Sequence, residues 1–213
     1  MPISAAYLGI ILIWSTTPLA IKWSGEGPGF LFGAAARMAI GAALCLLFLR
    51  LLRMHLPWNG AAVRSYLAAN LGIFGAMLCV YWGAQYVPSG LISALFGLTP
   101  IVTGILAAVW LKERALTSAK IVGSVIGLGG LWLIFGDERP GPQADLGLAA
   151  VLAAVFLHSL STVWVKRAGG SLPALTQTTG ALLLALPGYL ATWLLLDGRP
   201  PPELPPRALF SIV

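Results

Sequence analysis

The sequence predicts an all-α polytopic membrane protein, a helical bundle built from inverted five-helix repeats. Three observations carry that prediction. Of the 213 residues 58% are hydrophobic and only 9% charged, more apolar surface than a water-soluble core of this size can hide. A window of about 19 residues finds seven apolar segments, at 3–23, 30–52, 65–86, 89–111, 119–136, 146–165 and 174–196, and RALFSIV opens an eighth. Each full segment is near the roughly 20 residues that a spanning helix requires. Charge is also sorted by side. With the N-terminus cytoplasmic, Arg50, Arg53, Arg64, Lys112, Arg114, Lys120, Lys166 and Arg167 fall inside, against Lys22, Arg139, Arg199 and Arg207 outside. The acids run the other way: Glu113 alone is inside, and Glu26, Asp137, Glu138, Asp145, Asp197 and Glu203 are outside. This is the positive-inside pattern, so the net charge of +6 reports orientation in a lipid bilayer and not a nucleic-acid partner.

Segment one follows only Met-Pro, without a basic leader or a small-residue cleavage site, and is expected to remain as a spanning helix. It carries Trp14, Ser15, Thr16 and Thr17 before Pro18, and hydroxyls there can bond the carbonyls that a proline frees. In segment two, Arg37 shares a helix face with Gly33 and Gly41, a face that cannot look at lipid. It reads either as a counter-ion for an anionic substrate group or as a clamp onto backbone carbonyls of another helix. Segment three places Tyr81, Trp82 and Gln85 on one face and Tyr86 at its edge.

Segment four, LISALFGLTPIVTGILAAVWLKER, holds Pro100 near its middle. A bend is expected there, with Phe96, Thr99 and Thr103 facing a wet cavity and Pro100 as either a flexing point or a static kink. Glu113, at its end, is expected to accept hydrogen bonds from the free amides that open segment five. Segment five carries Gly123 and Gly127 at a spacing suited to close helix packing. Segment six carries His158, Ser161 and Thr162 on one face, the histidine either bonded to a neighbouring hydroxyl or available to a substrate or a proton. Cys45 and Cys79 lie in apolar segments without ligand spacing and read as small core residues.

The connections VPS and ALTS are short enough to force antiparallel neighbours. The longer DERPGPQAD divides five helices from a new start, where LGLAAVLAAVFLHSLSTVWVKR echoes LGIILIWSTTPLAIKW. Because five is odd, the second copy begins on the opposite side of the membrane, the plan of many secondary transporters. Residues 1–140 are then the first repeat, and 141–213 the start of a second whose last three helices are absent. The sequence has no phosphate loop, HExxH, CxxC or GxSxG motif, and no acid lies inside an apolar segment.

From YWGAQYVPSG through LWLIF, the sequence resembles the end of the first repeat of an EamA-type transporter of the drug/metabolite transporter superfamily. Tyr81, Trp82, Tyr86, Pro100, Glu113, Gly123, Gly127 and Gly130 carry the likeness, with Trp14 and Arg37 upstream. The resemblance implies a carrier of ten helices in full, whose cavity is lined by helices one, three, four and six among those present, and which binds no cofactor. It implies export of amino acids, other metabolites or drugs across a bacterial inner membrane. This chain departs from the pattern in lacking helices nine and ten and most of eight, so it is expected to be a fragment, or else to pair with a second copy as a homodimer.

Together these readings place Trp14, Ser15, Thr17, Arg37, Tyr81, Gln85, Phe96, Thr99, Thr103, His158 and Ser161 at a cavity for a small-molecule substrate. Pro18, Pro100, Glu113, Gly123 and Gly127 are expected to serve shape or gating. Two alternatives stand beside a transporter: an intramembrane enzyme acting on lipid-linked substrates, for which His158 lacks a nearby carboxylate, and a non-transporting membrane subunit.

Overall fold

The computed structural model describes residues 3–25, 29–113, 117–135, 141, 143–168, 172–198 and 205–212. Of the charges that set the predicted orientation, Glu26, Arg114, Asp137, Glu138, Arg139, Arg199 and Glu203 lie outside these residues. The described residues form eight helices and no strand: α1 (Ile3–Ser24), α2 (Phe30–Leu51), α3 (Gly60–Gly83), α4 (Ser89–Trp110), α5 (Ser118–Phe135), α6 (Ala144–Arg167), α7 (Ala174–Leu196) and α8 (Pro206–Ile212). Among them, α2, α3, α4, α6 and α7 are each long and apolar enough to cross a membrane. The first residue of α1 marks the near end of the bundle, and the α1–α2 connection marks the far end.

Helix α3 starts at Gly60, well before the apolar stretch that predicted it. Asn59 caps it, its Oδ1 accepting from the Ala62 amide at 2.9 Å, while Arg64 and Ser65 dilute the hydropathy of the first turns. Its middle is widened into a π turn at Leu71–Ala76. Such a turn disturbs the regular backbone ladder, and donors from two other helices reach carbonyls at and beside it. The Ser161 hydroxyl of α6 donates to the Ala68 carbonyl at 2.7 Å, and the Tyr189 hydroxyl of α7 to the Ile73 carbonyl at 2.5 Å.

Helix α4 is broken at Gly97 and Leu98 into Ser89–Phe96 and Thr99–Trp110. Pro100 therefore stands in the first turn of the second half, where a missing amide costs nothing because first-turn amides have no partner within the helix. The bend expected at Pro100 is a restart, with the Ile101 and Val102 amides donating back to the Leu98 carbonyl at 3.0 Å.

Close approach organises the centre. Glycines at Gly83 of α3 and Gly147 of α6 let the two backbones meet: a Cβ on Gly83 would lie 3.0 Å from the Gly147 carbonyl, and one on Gly147 would lie 3.2 Å from the Gly83 carbonyl. Further along the same antiparallel pair, a Cβ on Gly72 would sit 2.9 Å from the Ser161 hydroxyl. Helix α7 packs on α2 and α3, and Gly180 accommodates the ring of Tyr66 at 2.5 Å from the Cβ it lacks. Tyr66 is fully buried and donates to the Pro57 carbonyl at 2.9 Å. Val80, Tyr81, Val151, Ala154, Ala185 and Tyr189 fill the space between α3, α6 and α7.

Helix α5 differs: it packs mainly on α4, and nothing lies within 4 Å of a Cβ placed on Gly123, Gly127, Gly129 or Gly130. The close packing expected at Gly123 and Gly127 is thus not made inside the described chain. Cys45 and Cys79 are half-buried and free.

Candidate functional site

A cavity of about 390 Å³ lies between α1, α3, α4 and α6. Helix α1 supplies Trp14, Thr17, Pro18 and Ile21 to its wall. Ser15, Thr16 and Thr17 do not bond the carbonyl that Pro18 leaves free, which is that of Trp14. Their hydroxyls turn back to the Leu12 and Ile13 carbonyls, with Thr17 donating to Ile13 at 2.6 Å. Met77 and Val80 of α3 form an apolar side. Helix α4 contributes Ile92, Ser93, Phe96 and Gly97, which share one face of its first half. His158 of α6 completes the wall.

Three rings meet around His158. Its imidazole stands edge-on to Trp14, with centroids 6.4 Å apart at 74°, and to Phe96, 6.1 Å apart at 61°. Helices α1, α4 and α6 are therefore joined by an aromatic contact that changes if any of them tilts. The side chains with polar groups on the wall are few: Trp14, with its indole N–H, Thr17, Ser93 and His158. Such a lining suits an uncharged or amphipathic solute, held by ring faces and oriented by a small number of hydrogen bonds.

Of the predicted cavity residues, the structure brings together Trp14, Thr17, Phe96 and His158. Ser15 is exposed and bonded to its own helix. Ser161, predicted beside His158, is buried against α3 by its bond to Ala68, and Thr162 is exposed, donating to the His158 carbonyl. Three residues on one helix face thus meet three surroundings. Thr99 is half-buried with an unpartnered hydroxyl, and neither it nor Thr103 lines the cavity. The apolar members Ile21, Met77, Val80 and Ile92 were not among the predicted residues, because an aliphatic side chain in a spanning segment looks the same whether it faces lipid, core or cavity. Their signal is helical spacing: Met77, Val80 and Tyr81 recur on one face of α3.

Tyr81 and Gln85 line a second, smaller pocket of about 170 Å³ at the far end, with Lys22, Gly25 and Phe30. Ile21, 3% exposed, stands in the walls of both pockets and separates them. The Tyr81 hydroxyl faces the Arg37 guanidinium and Ser24. Neither it nor Arg37 Nη1 closes a hydrogen bond of good geometry, although both are buried. Pro100, Gly123 and Gly127 line a third recess, an open groove between α4 and α5.

At the near end, Glu113 does not take the amides of α5. Its Oε2 pairs with Lys166 Nζ at 2.6 Å, tying the end of α4 to the end of α6, while Thr117 caps α5 by accepting from the Lys120 amide. The lysine outcompetes the amides because it brings a full charge to the same side of the bundle.

Residues 2–136 match the EamA-like transporter family. The chain belongs to that family. Among curated relatives, it is 26% identical over 190 residues to the uncharacterized transporter YvbV of Bacillus subtilis, covering 84% of this chain and 60% of the relative. It is 29% identical over 213 residues to YoaV of the same organism, covering 97% of this chain and 72% of the relative. It is also 26% identical over 158 residues to a probable terminal-alkyne amino-acid exporter of Streptantibioticus cattleyicolor, covering 68% and 53%. The chain spans less than two thirds of the length of YvbV. No solved structure matches it. Its apolar helices and its transporter relatives make this EamA-family chain a multi-pass membrane protein.

Proposed function

We propose that this chain forms part of a secondary transporter that moves small organic solutes through the cavity between α1, α3, α4 and α6 by alternating access. The carrying observation is the aromatic junction of Trp14, Phe96 and His158, which couples three helices around a nearly uncharged cavity. The full protein has ten helices in two inverted repeats, residues 1–140 and a second beginning at 141. It sits in the bacterial inner membrane with its N-terminus cytoplasmic, as the charge pattern favours. The direction is export and the solutes are amino acids or similar metabolites, a reading supported by the name of the Streptantibioticus relative. Membership in a transporter family points away from the enzymatic alternative.

Proteoliposomes holding the full ten-helix protein, loaded with a panel of radiolabelled amino acids, test this reading. Efflux of at least one of them is expected above that of empty liposomes, and Phe96→Ala or Trp14→Ala is expected to reduce it at least tenfold. If no amino acid or metabolite leaves faster than from empty liposomes, the proposal fails.

A further inference from the structure

We propose that the cavity between α1, α3, α4 and α6 recognises the ammonium end of its solute, with His158 as an acceptor on which an amine and a proton exclude one another. The inference rests on the transport reading only in taking this cavity as the place of the solute. At about 390 Å³ the cavity falls within the range of about 300–1,000 Å³ usual for small-molecule sites.

The hydroxyl protons on the wall are already committed. Thr17 donates to the Ile13 carbonyl at 2.6 Å and Ser93 to the Ser89 carbonyl at 3.2 Å, each within its own helix. What these side chains offer the cavity is therefore an oxygen lone pair. Gly97 meets the cavity with its backbone alone, and no described amide donates to its carbonyl. His158 adds a nitrogen acceptor whenever its imidazole is neutral. Among the described residues neither nitrogen of that ring is hydrogen-bonded: the Ser161 hydroxyl goes to Ala68, and the Thr162 hydroxyl to the backbone carbonyl of His158. Against these acceptors the wall sets the N–H groups of the Trp14 indole and of the imidazole.

An ammonium group matches that inventory, since it brings three donors and a full positive charge. The rings of Trp14 and Phe96, 6.4 and 6.1 Å from the imidazole, have faces that attract a cation. A carboxylate finds neither lysine nor arginine on the wall: Arg37 faces Tyr81, and Lys166 pairs with Glu113. The helices packed around His158 bring no titratable side chain to the cavity. Helix α4 has none from Ser89 to Trp110, α1 has only Tyr7 and Lys22, and these, like Cys79 and Tyr81 of α3, are off the wall. On α6 itself the next charges, Lys166 and Arg167, lie about two turns away. A proton taken up by the imidazole therefore removes an acceptor and sets a like charge, balanced by nothing on the wall, beside the ammonium. One positive charge displaces the other, and a proton moving inward can drive an amine outward.

Calorimetric titration of the full ten-helix protein in phosphatidylcholine nanodiscs tests the site with three probes of similar shape: phenethylamine, phenethyl alcohol and phenylacetate. At about pH 8, where an ordinary imidazole is neutral, the amine is expected to bind at least about tenfold more tightly than the alcohol or the carboxylate. Its affinity is expected to fall about tenfold per pH unit once the imidazole is charged. His158→Gln keeps an acceptor that takes no proton, so its affinity for the amine is expected to stay level over the same range. His158→Leu is expected to lose about tenfold at the upper pH. If neither variant folds, Ser93→Ala, which leaves all three rings in place, is expected to weaken amine binding severalfold. A carboxylate bound as tightly as the amine overturns the proposal, as does an amine affinity in the unaltered protein that stays level as the pH falls, or no amine binding at all. Amine binding without solute movement sinks the transport reading alone, and solute efflux without preference for the amine sinks this inference alone.

Discussion

The glycines of the α3–α6 and α3–α7 crossings and those of α5 carry the same kind of signature and live in opposite surroundings. Gly83 and Gly147 admit each other's backbone, and Gly180 admits the ring of Tyr66, whereas Gly123 and Gly127 face open space. Small residues at helical spacing therefore report that a close approach is permitted, not that it is made within the same chain. Which partner uses a glycine is decided by the topology. Helix α6 lies along α3, its far-end glycine reaching the far end of α3, while α5 is joined to α4 by a short turn and held at the edge of the bundle.

Gly180→Ala should most strongly confirm this contrast. Its new Cβ would lie 2.5 Å from a fully buried ring, and an overpacked core of this kind loses about 1–3 kcal/mol, readable as a drop in the denaturant midpoint in micelles. Ser161→Ala and Tyr189→Phe, which each remove one bond to the widened turn of α3, are expected to cost about 0.5–1.5 kcal/mol by the same measurement. Glu113→Gln breaks a pair whose partners are both substantially exposed, and a loss below about 1 kcal/mol is expected. Gly127→Ala is expected to change stability by less than about 0.5 kcal/mol. A loss at Gly127 as large as that at Gly180 would break the contrast, by showing that the open face of α5 is covered in the working protein.

Much of the fold was legible in the sequence. Seven apolar segments became seven helices, because hydropathy reports the depth of a residue in the bilayer directly. The clearest miss in the boundaries, the start of α3, lies where a polar first turn is set by an asparagine cap instead of by hydropathy. The site was half legible. Trp14, Phe96 and His158 meet as the aromatic and hydroxyl clusters suggested, but Ser161 and Arg37 went elsewhere, because neither hydropathy nor helical periodicity says which neighbouring helix a polar side chain will find. Pro100 misled for a related reason: a proline reads as a bend wherever it stands, and only the backbone shows that α4 had already stopped at Phe96 and restarted at Thr99.

The clamp on the widened turn of α3 bears on how the protein is made. Helices enter a membrane in order of synthesis, and α3 is complete about eighty residues before Ser161 is translated and more than a hundred before Tyr189. During that interval the Ala68 and Ile73 carbonyls have neither of their later donors. Helix α3 is therefore inserted with an unfinished middle, and the arrival of α6 and α7 is what completes it.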